Sequence, residues 1–339
     1  MYSKSERDLL LVSKKLESIS GHLKGKSIQI IGASGFVGRW LLESLIFHKE
    51  RIGLDFQICQ VGRKEIYEFS DRTEFLEYDY LRDVTPRMDA DFVIFAGTPS
   101  QRSTGGEDKI LVYNSVRVGL ASIVNSIVNS DRKTRFFNCS SGTVLNSQLK
   151  KPMNSLELSN FEMKSFQLSE VYKASKILSE ELIHQATLSK NFFGINGRLW
   201  TFYGNGIPLD AHFAIGNFML NVLNGEDIVV NGNPRTLRSY LYPIDMSAGI
   251  IKSVVYGEDK LVNIGSHLPI SIGELAETIN NKFGSKKVIY QPNKNIETSY
   301  YPKDSDSVKL MSEYDLVDLN TGLEYWFQDL KCGPSSQGK

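Results

Sequence analysis

Tyr172-Lys173-Ala174-Ser175-Lys176 places a phenol and an ammonium four residues apart in a segment that reads as helical. That spacing is about one helical turn, so both side chains share a face. An ammonium beside a phenol stabilises the phenolate and lowers its pKa, which yields an acid/base usable near neutral pH. The spacing alone is a common accident in a chain with 15 tyrosines. It is preceded, however, by an apolar run that ends Phe136-Phe137-Asn138-Cys139-Ser140-Ser141-Gly142-Thr143. Hydroxyls at the carboxyl end of a parallel strand face the ligand crevice. A serine there can hydrogen-bond a substrate oxygen while Tyr172 donates or removes the proton. Further upstream, Ile28–Ile31 leads into Gly32-Ala33-Ser34-Gly35-Phe36-Val37-Gly38 and then a helical pattern. A strand turning directly into a helix aims backbone N–H groups and the positive helix end at one point, where a pyrophosphate fits. Side chains in that turn would block the approach. Such a trio is weak on its own among 27 glycines and stronger between a strand and a helix.

Elements able to position these groups follow in order. Apolar strand candidates are Ser27–Ile31, Phe56–Val61, Glu74–Tyr78, Phe92–Phe95, Arg135–Cys139 and Phe192–Arg198. Between them, helices are expected at Val37–Phe47, Asp108–Val128 and Ser169–Leu188. Apolar strands alternating with helices predict an α/β fold, a Rossmann-type doubly wound parallel sheet covered on both faces. Residues 1–25 read as one amphipathic helix on the outside of the sheet, and 26–200 as the dinucleotide-binding domain. Beyond residue 200 the pattern loosens into a smaller mixed lobe over 201–332, with the chain crossing between lobes. Helices are expected there near Ala214–Leu223, Asp245–Tyr256, Ile272–Phe283 and Leu319–Asp329, with a strand at Ile228–Val230. Residues 333–339 read as a flexible tail. A crevice between the two lobes is where substrate is expected to meet cofactor.

Composition narrows the classes. The 339 residues carry 39 basic and 39 acidic side chains, so no attraction to nucleic acid or an anionic membrane is expected. No run approaches eighteen apolar residues, and the first residues lack the order of a signal peptide. Cys59, Cys139 and Cys332 are odd in number and unpatterned, which favours a reducing, cytoplasmic setting over a structural zinc site. The five histidines show no metal spacing.

Taken together, the glycine turn, the Ser140-Ser141 strand end and Tyr172-x-x-x-Lys176 resemble the extended short-chain dehydrogenase/reductase family. The chain is most similar to its nucleotide-sugar epimerases, dehydratases and 4-ketoreductases. Arg198–Gly204, Leu237–Asp245 and Val262–Gly265 leading into Ser271–Ala276 carry the likeness onward. The resemblance implies that Ser141 orients the sugar oxygen, Tyr172 is the general acid/base, and Lys176 anchors the nicotinamide ribose. It implies a cofactor site of Gly32, Ser34, Gly35, Phe36, Val37, Gly38, Arg63, Asp79, Ala96, Gly97 and Asn114, with Tyr172 and Lys176. Substrate contacts are expected from Ser141, Thr143, Thr201, His212 and Arg238, the last gripping a diphosphate, with an exposed salt bridge as the less favoured alternative for Arg238. For Ser140 and Cys139, packing at the strand end is the expectation. A homodimer through a four-helix interface is implied as well.

The second strand ends in Gly62-Arg63-Lys64 rather than in a carboxylate, which suits a 2′-phosphate and favours NADP(H) over NAD(H). Gly142 and Thr143 stand where 4,6-dehydratases of this group carry an Asp-Glu pair, which argues against that reaction. Thr201 replaces the asparagine usual in the family's Arg-x-x-Asn-x-Tyr-Gly segment, and Trp200 adds bulk beside it. The expectation is an NADP(H)-preferring reductase of a nucleotide-linked 4-keto-6-deoxyhexose, of the kind that feeds surface-polysaccharide or O-antigen assembly. An NAD-dependent 4-epimerase and a non-catalytic dinucleotide-binding protein are the alternatives. Relatives of the last kind usually lose the Tyr or the Lys, and this chain keeps both.

Overall fold

The computed structural model describes residues 3–79, 88–99, 109–145, 168–209, 213–284, 286–291, 299–303 and 315–332. Six strands come first: β1 (Ser27–Ile31), β2 (Gln57–Gly62), β3 (Glu74–Glu77), β4 (Phe92–Phe95), β5 (Thr134–Ser141) and β6 (Phe192–Leu199). Six shorter ones follow: β7 (Ile228–Val230), β8 (Leu237–Ser239), β9 (Leu261–Ile264), β10 (Pro269–Ser271), β11 (Val288–Tyr290) and β12 (Ser299–Tyr300). The main helices are α1 (Glu6–Lys15), α2 (Phe36–Ile52), α3 (Lys109–Val128), α4 (Leu168–Ala186), α5 (Ala214–Asn224), α6 (Pro243–Tyr256), α7 (Ile272–Phe283) and α8 (Leu319–Cys332).

The chain divides into two compact units, one of Met1–Leu199 with Ser247–Ile264, the other of Trp200–Met246 with Gly265–Lys339. In the first, seven parallel strands run in the order β3-β2-β1-β4-β5-β6-β9. This is the doubly wound order of a Rossmann sheet extended by one strand, and it reverses between β1 and β4, where such sheets bind ligands. The strands read as apolar because both faces are covered: Ile28, Ile30, Val93, Ile94, Phe136 and Phe137 are all buried. On one face α3 and α4 close a core that joins Val116, Leu120, Ile123 and Ile127 to Val93, Phe95, Phe136, Val171 and Leu178. By length and composition α3 could cross a membrane; half of its apolar window is buried in this core. It is not uniform, since Ser115–Leu120 is wound as a π-helix, a local widening common at functional sites.

Among the described residues, the first 25 are not one helix. α1 stops at Lys15 with Leu16 as its cap, Glu17–Ile19 is a 3₁₀ turn and Ser20–Leu23 a short final turn. The reason lies in what it packs on, which is α2 rather than the sheet. Ser13 and Ser20 each hydrogen-bond one ring nitrogen of His48, at 2.8 and 3.1 Å, and the break in the helix lets both reach it. At the other end of α1 the Glu43 carboxylate accepts from the Ser3 and Lys4 amides and pairs with Arg39.

The second unit holds a three-stranded sheet, β10-β8-β12, and a β11-β7 pair. Its core is aromatic: Tyr203, Tyr242 and Trp326 are fully buried, with the Tyr203 ring 5.3 Å from Tyr242 and 6.0 Å from Trp326. The three-residue strands β8 and β10, the two-residue β12, and β9 and β11 were not expected from periodicity.

Candidate active site

At the carboxyl end of β1 the chain turns on Gly32, whose φ of 81° lies in the left-handed region. A Cβ there would sit 2.7 Å from the Ala96 carbonyl oxygen and from Gly97 Cα, so the ends of β1 and β4 touch only because the residue is glycine. Gly35 caps α2 with no side-chain hydrogen bond, leaving the first-turn N–H groups of a 17-residue helix without a side-chain acceptor. Ser34 and Gly35 are exposed, Phe36 and Val37 half-buried, Gly38 buried. Gly38 lies so close to the turn that a Cβ would meet the Gly32 carbonyl oxygen at 2.2 Å. A pyrophosphate fits this cradle: a backbone free of side chains, donors pointing outward and the positive end of a helix dipole. Arg63 is exposed just past β2, Asp79 half-buried past β3, and Ala96 and Gly97 half-buried past β4. Asn114 stands at the junction where α3 changes to the π-wound segment.

The strand end and α4 meet in the same unit. Ser141 is 7% exposed, and its Oγ accepts hydrogen bonds from Thr143 N (3.3 Å) and Thr143 Oγ1 (3.0 Å). With its lone pairs so engaged, the hydroxyl hydrogen of Ser141 is the group left to donate outward. Lys176 is 4% exposed, and its amine donates to the Cys139 carbonyl at 2.6 Å while standing 5.6 Å from the centre of the Tyr172 ring. The half-buried Tyr172 phenol, the Lys176 ammonium and the Ser141 strand end are thereby tied into one constellation. Burial pushes Lys176 down from 10.5 to about 8, against the opposing pull of Cys139 and Glu180. Burial likewise pushes the Cys139 thiol up to about 12, so it stays neutral beside the amine.

Ser140 does more than pack. Its hydroxyl donates to Glu180 Oε1 at 2.6 Å, and Arg198 grips the same carboxylate through Nε (3.0 Å) and Nη2 (2.7 Å). Neither Glu180 nor Arg198 was singled out for a role in the sequence. The signal was present: Tyr172, Lys176 and Glu180 recur every fourth residue on one helix face.

In the second unit, Arg238 is held in the middle of β8, paired with Ile270 of β10 on one side and Tyr300 of β12 on the other. Its Nη1 donates to the Leu237 carbonyl at 2.8 Å, and the side chain is half-buried rather than exposed. Burial lowers its pKa, opposed by Tyr240 and Tyr300. Arg238 lines a cavity of about 650 Å³ together with Asn217, Phe218, Asn221, Val230 and Asn231. The half-buried Thr201 is anchored through its carbonyl, which accepts from Leu241 N at 3.0 Å. The Trp200 ring lies 4.8 Å from that of Tyr300, tilted by 46°, and a Cβ on Gly265 would meet the Trp200 side chain at 2.8 Å. His212 and the 333–339 tail lie outside the described residues.

Comparison with known proteins gives a concordant picture. The family described as NAD dependent epimerase/dehydratase matches residues 28–265. A dTDP-4-dehydro-6-deoxyglucose reductase of Escherichia coli is 29% identical over 120 residues, 35% of this chain and 38% of that enzyme's length. An epimerase of Methanothermobacter thermautotrophicus superposes with a TM-score of 0.70 at 18% identity, covering 93% of this chain and 96% of that one. The UDP-N-acetylglucosamine 4-epimerase of Bacillus cereus gives 0.67 at 19% identity, covering 92% and 98%. At these identities the structural likeness is one of fold.

Proposed function

The chain belongs to the NAD-dependent epimerase/dehydratase family, and from that premise we propose that it is a nucleotide-sugar reductase that turns a 4-keto-6-deoxyhexose into the alcohol. The single observation that carries this reading is the constellation of Tyr172, Lys176 and Ser141 at the strand end. Partial similarity to a 4-keto-sugar reductase supports the direction of the reaction. The exposed Arg63 past β2, where an NAD-preferring site would hold a carboxylate, supports NADPH as the donor.

When bound, the nicotinamide supplies the hydride to the sugar carbonyl carbon. The chain's own residues handle the oxygen. Ser141, its lone pairs occupied by Thr143, donates a hydrogen bond to the carbonyl oxygen and fixes it. Tyr172 gives its phenolic proton to that oxygen as it becomes an alkoxide, and the Lys176 ammonium stabilises the phenolate left behind. The Gly32–Gly38 turn holds the cofactor pyrophosphate, and the Arg238-lined cavity takes the nucleoside diphosphate of the sugar. A cytoplasmic homodimer belongs to the same reading.

Incubation with dTDP-, UDP-, GDP- and CDP-4-keto-6-deoxyglucose and NADPH tests it. Loss of the nicotinamide absorbance with formation of the reduced sugar is expected. The second reading, a 4-epimerase, is favoured by the fold likeness to a 4-epimerase. It predicts sugar isomerisation without net absorbance change. Cofactor binding with no turnover of any sugar in the panel would refute both readings.

A further inference from the structure

Under a helix packed on a parallel sheet, apolar side chains are the rule. Beneath the middle of α4, at Ser179 and Glu180, the sheet instead presents Asn138 and Ser140 of β5 beside their register partners Asn196 and Arg198 of β6. Each is bonded to the helix or to its neighbour. Asn138 Nδ2 donates to Ser179 Oγ (3.0 Å) and Asn196 Oδ1 (2.9 Å), and Asn196 Nδ2 donates to the Glu180 carbonyl (3.1 Å). The Glu180 carboxylate takes Ser140 and both donors of the Arg198 fork. This network joins three things the chemistry requires in register: the residue before Ser141, the peptide carbonyl that holds the Lys176 amine, and the helix turn after Lys176.

We propose that Glu180 is a positioning residue of the reaction, clamped by Arg198 and Ser140 so that α4 presents Tyr172 and Lys176 to the Ser141 strand end with their charge balance fixed. The proposal rests on Tyr172 and Lys176 acting as the acid/base pair described above. Among the described residues, the ionisable groups that bear on the Lys176 amine are Cys139 on β5, Tyr172 and Glu180 on α4, and Arg198 on β6 through its pair with Glu180. α3, which also packs on α4, adds no charge that shifts it. Glu180 favours the ammonium; Arg198 offsets that carboxylate. Removing one partner therefore exposes the charge of the other, and the two deletions act in opposite senses.

The test is the pH dependence of kcat in Glu180→Gln, Arg198→Gln and the double variant, each first checked for a cooperative melt. The wild-type alkaline limb is expected near the Lys176 value of about 8. Glu180→Gln leaves Arg198 unbalanced and moves that limb down by about one unit, and Arg198→Gln leaves Glu180 unbalanced and moves it up by about one unit. The double variant returns to within about 0.3 unit of wild type while its kcat stays lowered. Limbs that superimpose in all three variants, or that move in one direction, overturn the proposal and leave the network a purely structural one. If Glu180→Gln does not fold, Arg198→Gln carries the test alone, an upward shift supporting the clamp and no shift overturning it. NADPH binding, followed by nicotinamide fluorescence over the same pH range, needs no sugar. Should the wild type reduce no nucleotide sugar, the functional reading fails, and opposed or superimposed binding profiles still uphold or reject the clamp.

Discussion

Two alanine substitutions in the glycine turn separate fold from cofactor binding. A Cβ on Gly38 would lie 2.2 Å from the Gly32 carbonyl oxygen and 2.7 Å from Ala33 Cα, both backbone atoms. Ordinary contact begins near 3.4 Å, so the start of α2 must retreat by 3.4 − 2.2, about 1.2 Å, from the turn it abuts. Helix propensity favours alanine over glycine by about 1 kcal/mol, but overpacking against an immobile neighbour costs about 1–3 kcal/mol and wins. Gly38→Ala is therefore expected to melt several degrees lower and to lose NADPH affinity by at least about tenfold, because the N–H groups of the cradle move with the helix. Gly35 differs. Its φ of −74° suits any residue, and its Cβ would touch only the Gly32 carbonyl oxygen, at an ordinary 3.4 Å. Gly35→Ala should keep the wild-type melt within about 1 kcal/mol, yet weaken NADPH because the new methyl stands on the exposed lip of the cradle. Thermal melting and fluorescence titration with NADPH read the two effects separately. If Gly38→Ala melts and binds like wild type, the close approach of α2 to the turn is wrong, and with it the cradle.

Tyr172→Phe should lower turnover by about 10²–10⁴ while NADPH affinity stays within about threefold, as stopped turnover with intact fluorescence titration would report. Arg63→Asp should weaken NADPH by about 10–100-fold and spare NADH, the loss of one charge-assisted phosphate contact; an equal loss of both would place Arg63 against the adenine instead. His48, buried between Ser13 and Ser20, has its pKa lowered by burial from 6.5 to about 4. The folded chain thus binds fewer protons than the unfolded one between these values, so stability falls as pH drops from 6.5 toward 4. Between pH 7 and 5 the loss is about 2 kcal/mol, and melts of His48→Gln should show a correspondingly flatter dependence.

The half of the fold that carries chemistry was legible because burial on both faces writes strands as apolar runs: β1 and β4 lie where Ile28–Ile31 and Phe92–Phe95 place them. α2 was expected to end at Phe47, yet it continues through His48-Lys49-Glu50-Arg51 to Ile52. α1 covers that stretch and buries His48, a tertiary contact no local pattern announces. In the second unit β8, β10 and β12 are two or three residues long, too short for an alternation to show. Arg238 was found there by motif, whereas the strand pairing that holds it was not. The Tyr172–Lys176 pair was legible because both partners sit on one helix; Glu180 was not given a role because its partners, Ser140 and Arg198, come from two strands 58 residues apart in register.

That difference follows from how the β5 and β6 faces change along their length. On the side of α4, β5 runs Phe136, Asn138, Ser140, and β6 runs Phe192, Gly194, Asn196, Arg198. At the start of the strands, the Phe136 and Phe192 rings pack 5.5 Å apart with a 30° tilt, and a Cβ on Gly194 would meet Ile183 of α4 at 2.5 Å. Apolar packing there is non-directional and tolerates sliding of a helix along its axis. At the carboxyl ends the contacts become hydrogen bonds and an ion pair, which are directional and leave buried groups unpaired if the helix shifts. The apolar end supplies most of the adhesion, and the polar end selects one register. A site that needs an amine 2.6 Å from the Cys139 carbonyl and 5.6 Å from the Tyr172 ring sits at the end of the sheet where only one register is permitted.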